Sequence, residues 1–172
     1  ALYKAIEIKE NHPDEVRGYS LWGLYDDIED VYRGAGRHAE ALEWSRKIVD
    51  LLKKDGDADN LAGAYNVLGI NAHSMLRKDD VPPGEKEMYF LESYNAYKEA
   101  EKLTCGGESR VLVTNRASLV FEAVGIVGDA ARKYVDESIS VLEKLLLQPD
   151  DKGHRFNHIR TTLADGYRLK ED

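Results

Sequence analysis

The sequence predicts an all-α fold: about eight helices packed as antiparallel hairpins stacked side by side. Three observations carry this. Apolar residues recur at three- and four-residue intervals almost throughout, and the two-residue alternation of strands is hard to find. Glycine and proline fall between these periodic stretches, where short turns would be. Proline is scarce at four copies while Ala, Leu, Glu and Lys are frequent, a composition that favours helix.

Taken in order, "ALYKAIEIKENHP" places Leu2, Ala5 and Ile6 on one stripe and ends before Pro13. Pro13-Asp14-Glu15 reads as a helix start with acids in its first turn. Tyr19, Trp22, Tyr25, Ile28 and Tyr32 then line one apolar face as far as Gly34 and Gly36. A helix restarts at once in "YRGAGRHAEALEW", where Ala41, Trp44, Ile48 and Leu51 or Leu52 form a stripe that Gly56 closes. "DNLAGAYNVLGINAHSML" repeats the pattern with Leu61, Tyr65, Leu68, Ala72 and Met75. "RKDDVPPGEKE" breaks it: a charged loop around Pro82-Pro83-Gly84, read as an insertion rather than a contact. "MYFLESYNAYKEAEKL" resumes with Phe90, Tyr94, Tyr97 and Ala100, and "TCGGES" interrupts again. The helix "RVLVTNRASLVFEAVGIVG" ends near Gly125 or Gly128. "DAARKYVDESISVLEKLLLQP" runs to Pro149. A last helix carries Phe156, Ile159, Leu163 and Tyr167. Most of these helices are too short to be stable alone, so each must bury its stripe on a neighbour.

Residues 1–172 are read as one domain, with the absence of an initial Met suggesting a piece of a longer protein. The net charge of −8 disfavours nucleic acid, whose phosphates demand Lys and Arg, and mildly favours a cationic partner. No apolar run reaches the roughly 20 residues of a membrane span. Cys105 is the single cysteine, so no internal disulfide forms, and a reducing cytoplasm fits.

The hairpins share a signature in which a small residue follows a large aliphatic, with Tyr or Ala three residues later. "YRGAGRHAEALEW", "GAYNVLGINA" and "TTLADGY" carry it best, and "KAIEIKENHP" looks like the second helix of a preceding unit. In this the chain resembles the tetratricopeptide repeat family. It departs from the family at Glu29, which stands where a small residue is preferred. The spacing is also long: 40 residues from Glu29 to Gly69, 51 to Val120 and 44 to Ala164, against about 34 in the family. An irregular α-bundle is the alternative.

The resemblance implies a right-handed α-α superhelix of about eight antiparallel helices, with a concave face lined by the first helix of each pair. The apolar stripes then place Asp26, Asp30 and Arg33 on that face in the first pair. Asn66, Ile70 and His73 follow in the second, Thr114, Ala117 and Phe121 in the third, and His158, Thr161 and Asp165 in the last helix. Carboxylates at one end, with amides, hydroxyls and an aromatic further along, suit an extended peptide carrying a basic residue. The run "YDDIED" sets Asp26 and Asp30 four residues apart on one face, a like-charge cost that a cationic partner would relieve. Family members that clamp acidic chaperone tails use cationic and amide side chains at these places, so the acids here disfavour that activity.

The expected function is a peptide- or protein-binding adaptor or sensor module, with no catalytic residue, cofactor or metal assigned. His154 and His158 share helical spacing but lack a third ligand. Cys105 has no base placed beside it. Two further readings stay open: a regulatory repeat domain of a larger signalling protein, and an all-α enzyme or small-molecule binder with a closed polar cavity. Homo-oligomerisation through the terminal helices is a further expectation, since an excised array exposes apolar end faces.

Overall fold

The computed structural model describes residues 1–12, 20–104, 109–147 and 156–171. Among these the chain forms nine helices: α1 Leu2–Asn11, α2 Leu21–Gly34, α3 His38–Asp55, α4 Ala58–Leu76, α5 Pro83–Leu103, α6 Arg110–Val127, α7 Asp129–Arg132, α8 Val135–Leu146 and α9 Phe156–Glu171. Consecutive helices pack mostly antiparallel, α2 on α3, α3 on α4, α4 on α5 and α5 on α6; α6 also meets α8 and α9. No helix among the described residues is long and apolar enough to cross a membrane.

The turns follow the local chemistry. Ser20 caps α2, its hydroxyl accepting from the Gly23 N–H at 3.1 Å. Asp57 caps α4 by accepting from the Asn60 N–H. Gly36 and Gly56 hold left-handed φ values of 72° and 70°, which non-glycine residues reach only with strain, so α2 and α3 stop where the sequence reading stops them. Tyr19, Cys105, Pro149 and His154 lie outside the described residues.

Two expectations need correction. The charged loop stops short of Pro83, which with Gly84 belongs to α5. Pro82 is the N-cap of α5 and Pro83 occupies its first turn, where the absent proline N–H has no intrahelical partner to lose. Val81 just before it is buried. The segment after Gly128 is two helices rather than one: the Tyr134 N–H bonds to the Ala131 carbonyl, a tightened turn that separates α7 from α8.

Three apolar clusters run along the chain. Ile6, Leu24 and Ile28 join α1 to α2, and Leu42, Ile48, Leu52, Leu68 and Ala72 join α3 to α4. Phe90, Tyr97, Leu119, Leu142 and Ile159 belong to the largest, spanning α4 to α9. Close approach of α4 and α5 requires Gly69. A Cβ there would lie 2.7 Å from Tyr97 Cε1, inside van der Waals contact. Gly166 on α9 is equally confined, against the Phe121 ring. In both places a ring from a neighbouring helix fills the volume that the glycine leaves free.

Burial also marks the chain's alkaline limit. It pushes the Tyr94 and Tyr97 phenols from 10.0 up to about 12. A phenol whose folded value exceeds its unfolded one stabilises the fold below the unfolded value, and that contribution disappears as pH rises through the folded value. Burial and the Glu10 carboxylate push Tyr25 up to about 12 as well, so we expect stability to fall between pH 10 and about 12, with Tyr25, Tyr94 and Tyr97 among the tyrosines that ionise late, together with loss of helical circular dichroism. Parallel phenolate absorbance and dichroism titrations check this. Complete phenolate formation with full helicity retained would contradict it.

Candidate functional site

The first helices of the hairpins lie beside one another and are bridged by polar side chains. From α2 to α4, Glu29 accepts from Asn71 Nδ2 at 2.5 Å. From α4 to α6, Asn115 Nδ2 donates to Asn66 Oδ1 at 3.4 Å, and Arg77 donates two bonds of 2.6 Å to Glu122. From α6 to α9, the Ser118 and Thr162 hydroxyls meet at 3.4 Å. The second helices are linked in the same way, Arg46 of α3 to Glu92 of α5 and Tyr94 of α5 to Glu137 of α8.

Two adjoining open cavities lie along α4, α6 and α9, and Ser118 lines both. The first, about 320 Å³, is walled by Ile70, His73, Arg77, Tyr97, Asn115 and His158. The second, about 400 Å³, has Phe121 and Leu169 as its apolar lining and Glu122, Thr162, Asp165 and Arg168 at its polar edge. Together they form a trough with Asn115, two histidines and Arg77 at one end, Phe121 and Leu169 at the other, and the Ser118 hydroxyl shared between them.

Glu122 sits between them. Burial pushes its carboxyl up, but the Arg77 guanidinium and His73 outweigh burial and hold it below the ordinary carboxylate range. His73 is pushed down by burial first and by the Arg77 charge second, so it is the neutral imidazole at pH 7. Its 3.1 Å contact with Glu122 is therefore an ordinary hydrogen bond, with Nε2–H donating to the carboxylate, and the ion pair belongs to Arg77.

The structure brings together Asn66, Ile70, His73, His158 and Asp165 of the sequence-derived candidates, with Phe121 in the lining. Thr114 and Ala117 need correction. Both are 2% exposed, and the Thr114 hydroxyl donates to the Arg110 carbonyl at 2.6 Å. The face of α6 toward the trough is instead Asn115, Ser118 and Glu122, each one residue further on, a rotation of about 100°. The cause is that α6 is buried on nearly every side, from Leu112 through Val124, so its apolar stripe does not fix its rotation. Thr161 is exposed and bonds back to the Asn157 carbonyl, while its neighbour Thr162 lines the second cavity.

On α2, Arg33 donates to both Asp30 and Glu29, so the acidic run is partly neutralised within its own helix. Asp26 is half-buried. Burial first, and repulsion from Asp30 and Asp27 second, push its carboxyl up, against the pull of Arg33.

Arg77, Ser118, Glu122 and Thr162 escaped the sequence reading. A signal for Arg77 was present, since Ile70, His73 and Arg77 continue one helical stripe. Glu122 carried none, because an acid in an apolar run has no partner until α4 is placed beside it.

No known family model, no curated protein and no solved structure matches this chain. Fold and sequence together define an all-helical protein of nine helices among the described residues.

Proposed function

We propose that the chain is a non-catalytic peptide- or protein-binding module, with its hairpins stacked as a tetratricopeptide-like superhelix and an extended partner segment held along α2, α4, α6 and α9. The observation that carries this is the open trough of two adjoining cavities sharing Ser118, lined by successive first helices. An extended chain needs such a course: polar groups to meet its backbone, and an apolar surface for a side chain. The Asn66–Asn115 pair retains amide capacity for peptide groups, since each carboxamide has further donors or acceptors. Phe121 and Leu169 suit an apolar side chain. Asp26 and Asp30 suit a Lys or Arg of the same segment. Both cavities open to solvent, which favours this reading over a small-molecule binder with an enclosed site.

The test is a fluorescent peptide library screened by anisotropy against the parent chain, Ser118→Trp, and Asp26→Lys with Asp30→Lys. Ser118→Trp fills the shared wall of both cavities. It is expected to weaken binding of any selected peptide about tenfold or more, on the order of 1.4 kcal/mol. The double lysine variant is expected to weaken basic peptides selectively. Helical dichroism should match the parent in both. Tight binding that neither variant alters would move the site away from this face.

A further inference from the structure

Glu29 is fully buried, with 0% exposure, where the repeat signature asks for a small residue. Its donors are distributed unevenly. Asn71 Nδ2 at 2.5 Å and Arg33 Nε at 3.0 Å both converge on Oε1. Oε2 is buried without a hydrogen-bond partner, and so is Asn71 Oδ1, the other half of the carboxamide that touches Oε1. A carboxylate has two equivalent oxygens and would attract donors to both. A carboxylic acid has one carbonyl oxygen that accepts and one hydroxyl that must donate. The observed arrangement is that of the acid: acceptor bonds gathered on Oε1, and an acceptor, Asn71 Oδ1, left over for the hydroxyl.

We propose that Glu29 is held in the folded chain as a neutral carboxylic acid, with its proton on Oε2 donated to Asn71 Oδ1. Acid and amide then close a two-bond ring that latches α2 to α4, and through Ser45 to α3. One proton satisfies both orphaned atoms at once. This matters because an unsatisfied buried acceptor is costly and an uncompensated buried charge more so. Asn71 Nδ2 also donates to Ser45 Oγ at 2.8 Å, and Ser45 Oγ donates to the Ala41 carbonyl, which fixes the carboxamide's orientation.

The charged groups around Glu29 agree. Arg33 of its own helix is 41% exposed at the side chain and also bonds Asp30, whose carboxylate shares the guanidinium charge. Asp30 itself repels a charge on Glu29. From α3 and α4 come the Ser45 hydroxyl and the Asn71 amide. His38 at the start of α3 is pushed down by burial and by the Lys78 and Arg33 charges, so it brings no compensating cation at pH 7. Burial is the largest influence on Glu29 and raises its carboxyl above the ordinary 4.5, against Asn71 and Arg33.

The latch is consequently pH-sensitive. Its contribution is complete below pH 4.5, the ordinary value, and is lost as pH rises through the folded-state midpoint. Two measurements test it. Glu29→Gln replaces the acid with a permanently neutral isostere that reproduces the ring, its amide N–H donating to Asn71 Oδ1. It is expected to melt about 2–4 °C above the parent at pH 7, with the gap closing below pH 4.5. In the parent chain labelled with 13C-glutamate, the Glu29 Cδ resonance is expected to titrate with a midpoint above 4.5. Two results would each overturn the assignment. One is a Glu29→Gln chain that melts below the parent at pH 7. The other is a Glu29 carboxyl already fully ionised at pH 4.5; both describe a charged pair with Arg33.

Discussion

Arg116→Ala is expected to destabilise the fold by about 3–5 kcal/mol, on the order of 10 °C in melting temperature. Arg116 lies in the middle of the apolar helix α6, yet it is 4% exposed. Its guanidinium donates to Glu101 of α5 at 2.8 and 3.3 Å, to Glu137 of α8 at 3.2 Å and to the Tyr94 hydroxyl at 3.3 Å. Its charge also lies 5.4 Å from the Tyr94 ring centroid. Three helices thus depend on one cation. Truncation leaves the Glu101 side chain, 16% exposed, without its counter-charge in a site that water hardly reaches. Glu137 is 46% exposed and water can take over its solvation, so Glu137→Gln should cost less than about 1 kcal/mol. The cause is separable by experiment. Arg116→Met combined with Glu101→Leu removes both buried charges and should recover most of the loss, whereas Arg116→Met alone should not. Urea unfolding followed by dichroism measures all four. Equal losses in the single and double variants would mean that packing, not charge, is what Arg116 supplies.

Tyr97→Ala is expected to cost a similar amount, about 3–5 kcal/mol, through the cavity it opens between α4 and α5. The ring is 1% exposed and covers Gly69 so closely that three of its carbons fall within 2.9 Å of a hypothetical Cβ. This closeness makes a second, sharper expectation. In the parent chain, Gly69→Ala forces the ring to move, at about 1–3 kcal/mol, offset by the roughly 1 kcal/mol that alanine gains over glycine inside a helix. In the Tyr97→Ala background the collision is absent and only the gain remains, so Gly69→Ala should there become stabilising. Thermal melts of the four chains check it. Simple additivity would show that the ring and the glycine do not share one space. Tyr97 also walls the cavity between α4 and α6, so under the proposed peptide-binding role the truncated chain should lose affinity along with stability.

Much of this architecture was legible in the amino-acid order because it depends on local rules. Ala41, Ile48 and Leu52 share one helical face and are all buried, as their spacing requires. Gly36 and Gly56 end helices because the left-handed conformation excludes most other residues. The second proline of Pro82-Pro83 is legible too, because a helix's first turn accepts proline without losing a hydrogen bond. Glu29 was visible as a departure from the repeat signature, but its reason was not, since Asn71 lies 42 positions away in sequence.

Local pattern alone reveals that the chain is helical, where most of its turns fall, and most of the buried stripe of its amphipathic helices, though Tyr167 on the last one is 44% exposed. Those outcomes follow from backbone geometry and from burial of one apolar face per helix, which are properties of a few neighbouring residues. Tertiary structure alone decided the rotation of α6, the pairing of Arg116 with Glu101, and the meeting of Glu122 with Arg77 across the trough. A helix apolar on almost every side has no stripe to orient it, and a buried charge acquires its meaning only from partners that another helix brings within about 3 Å.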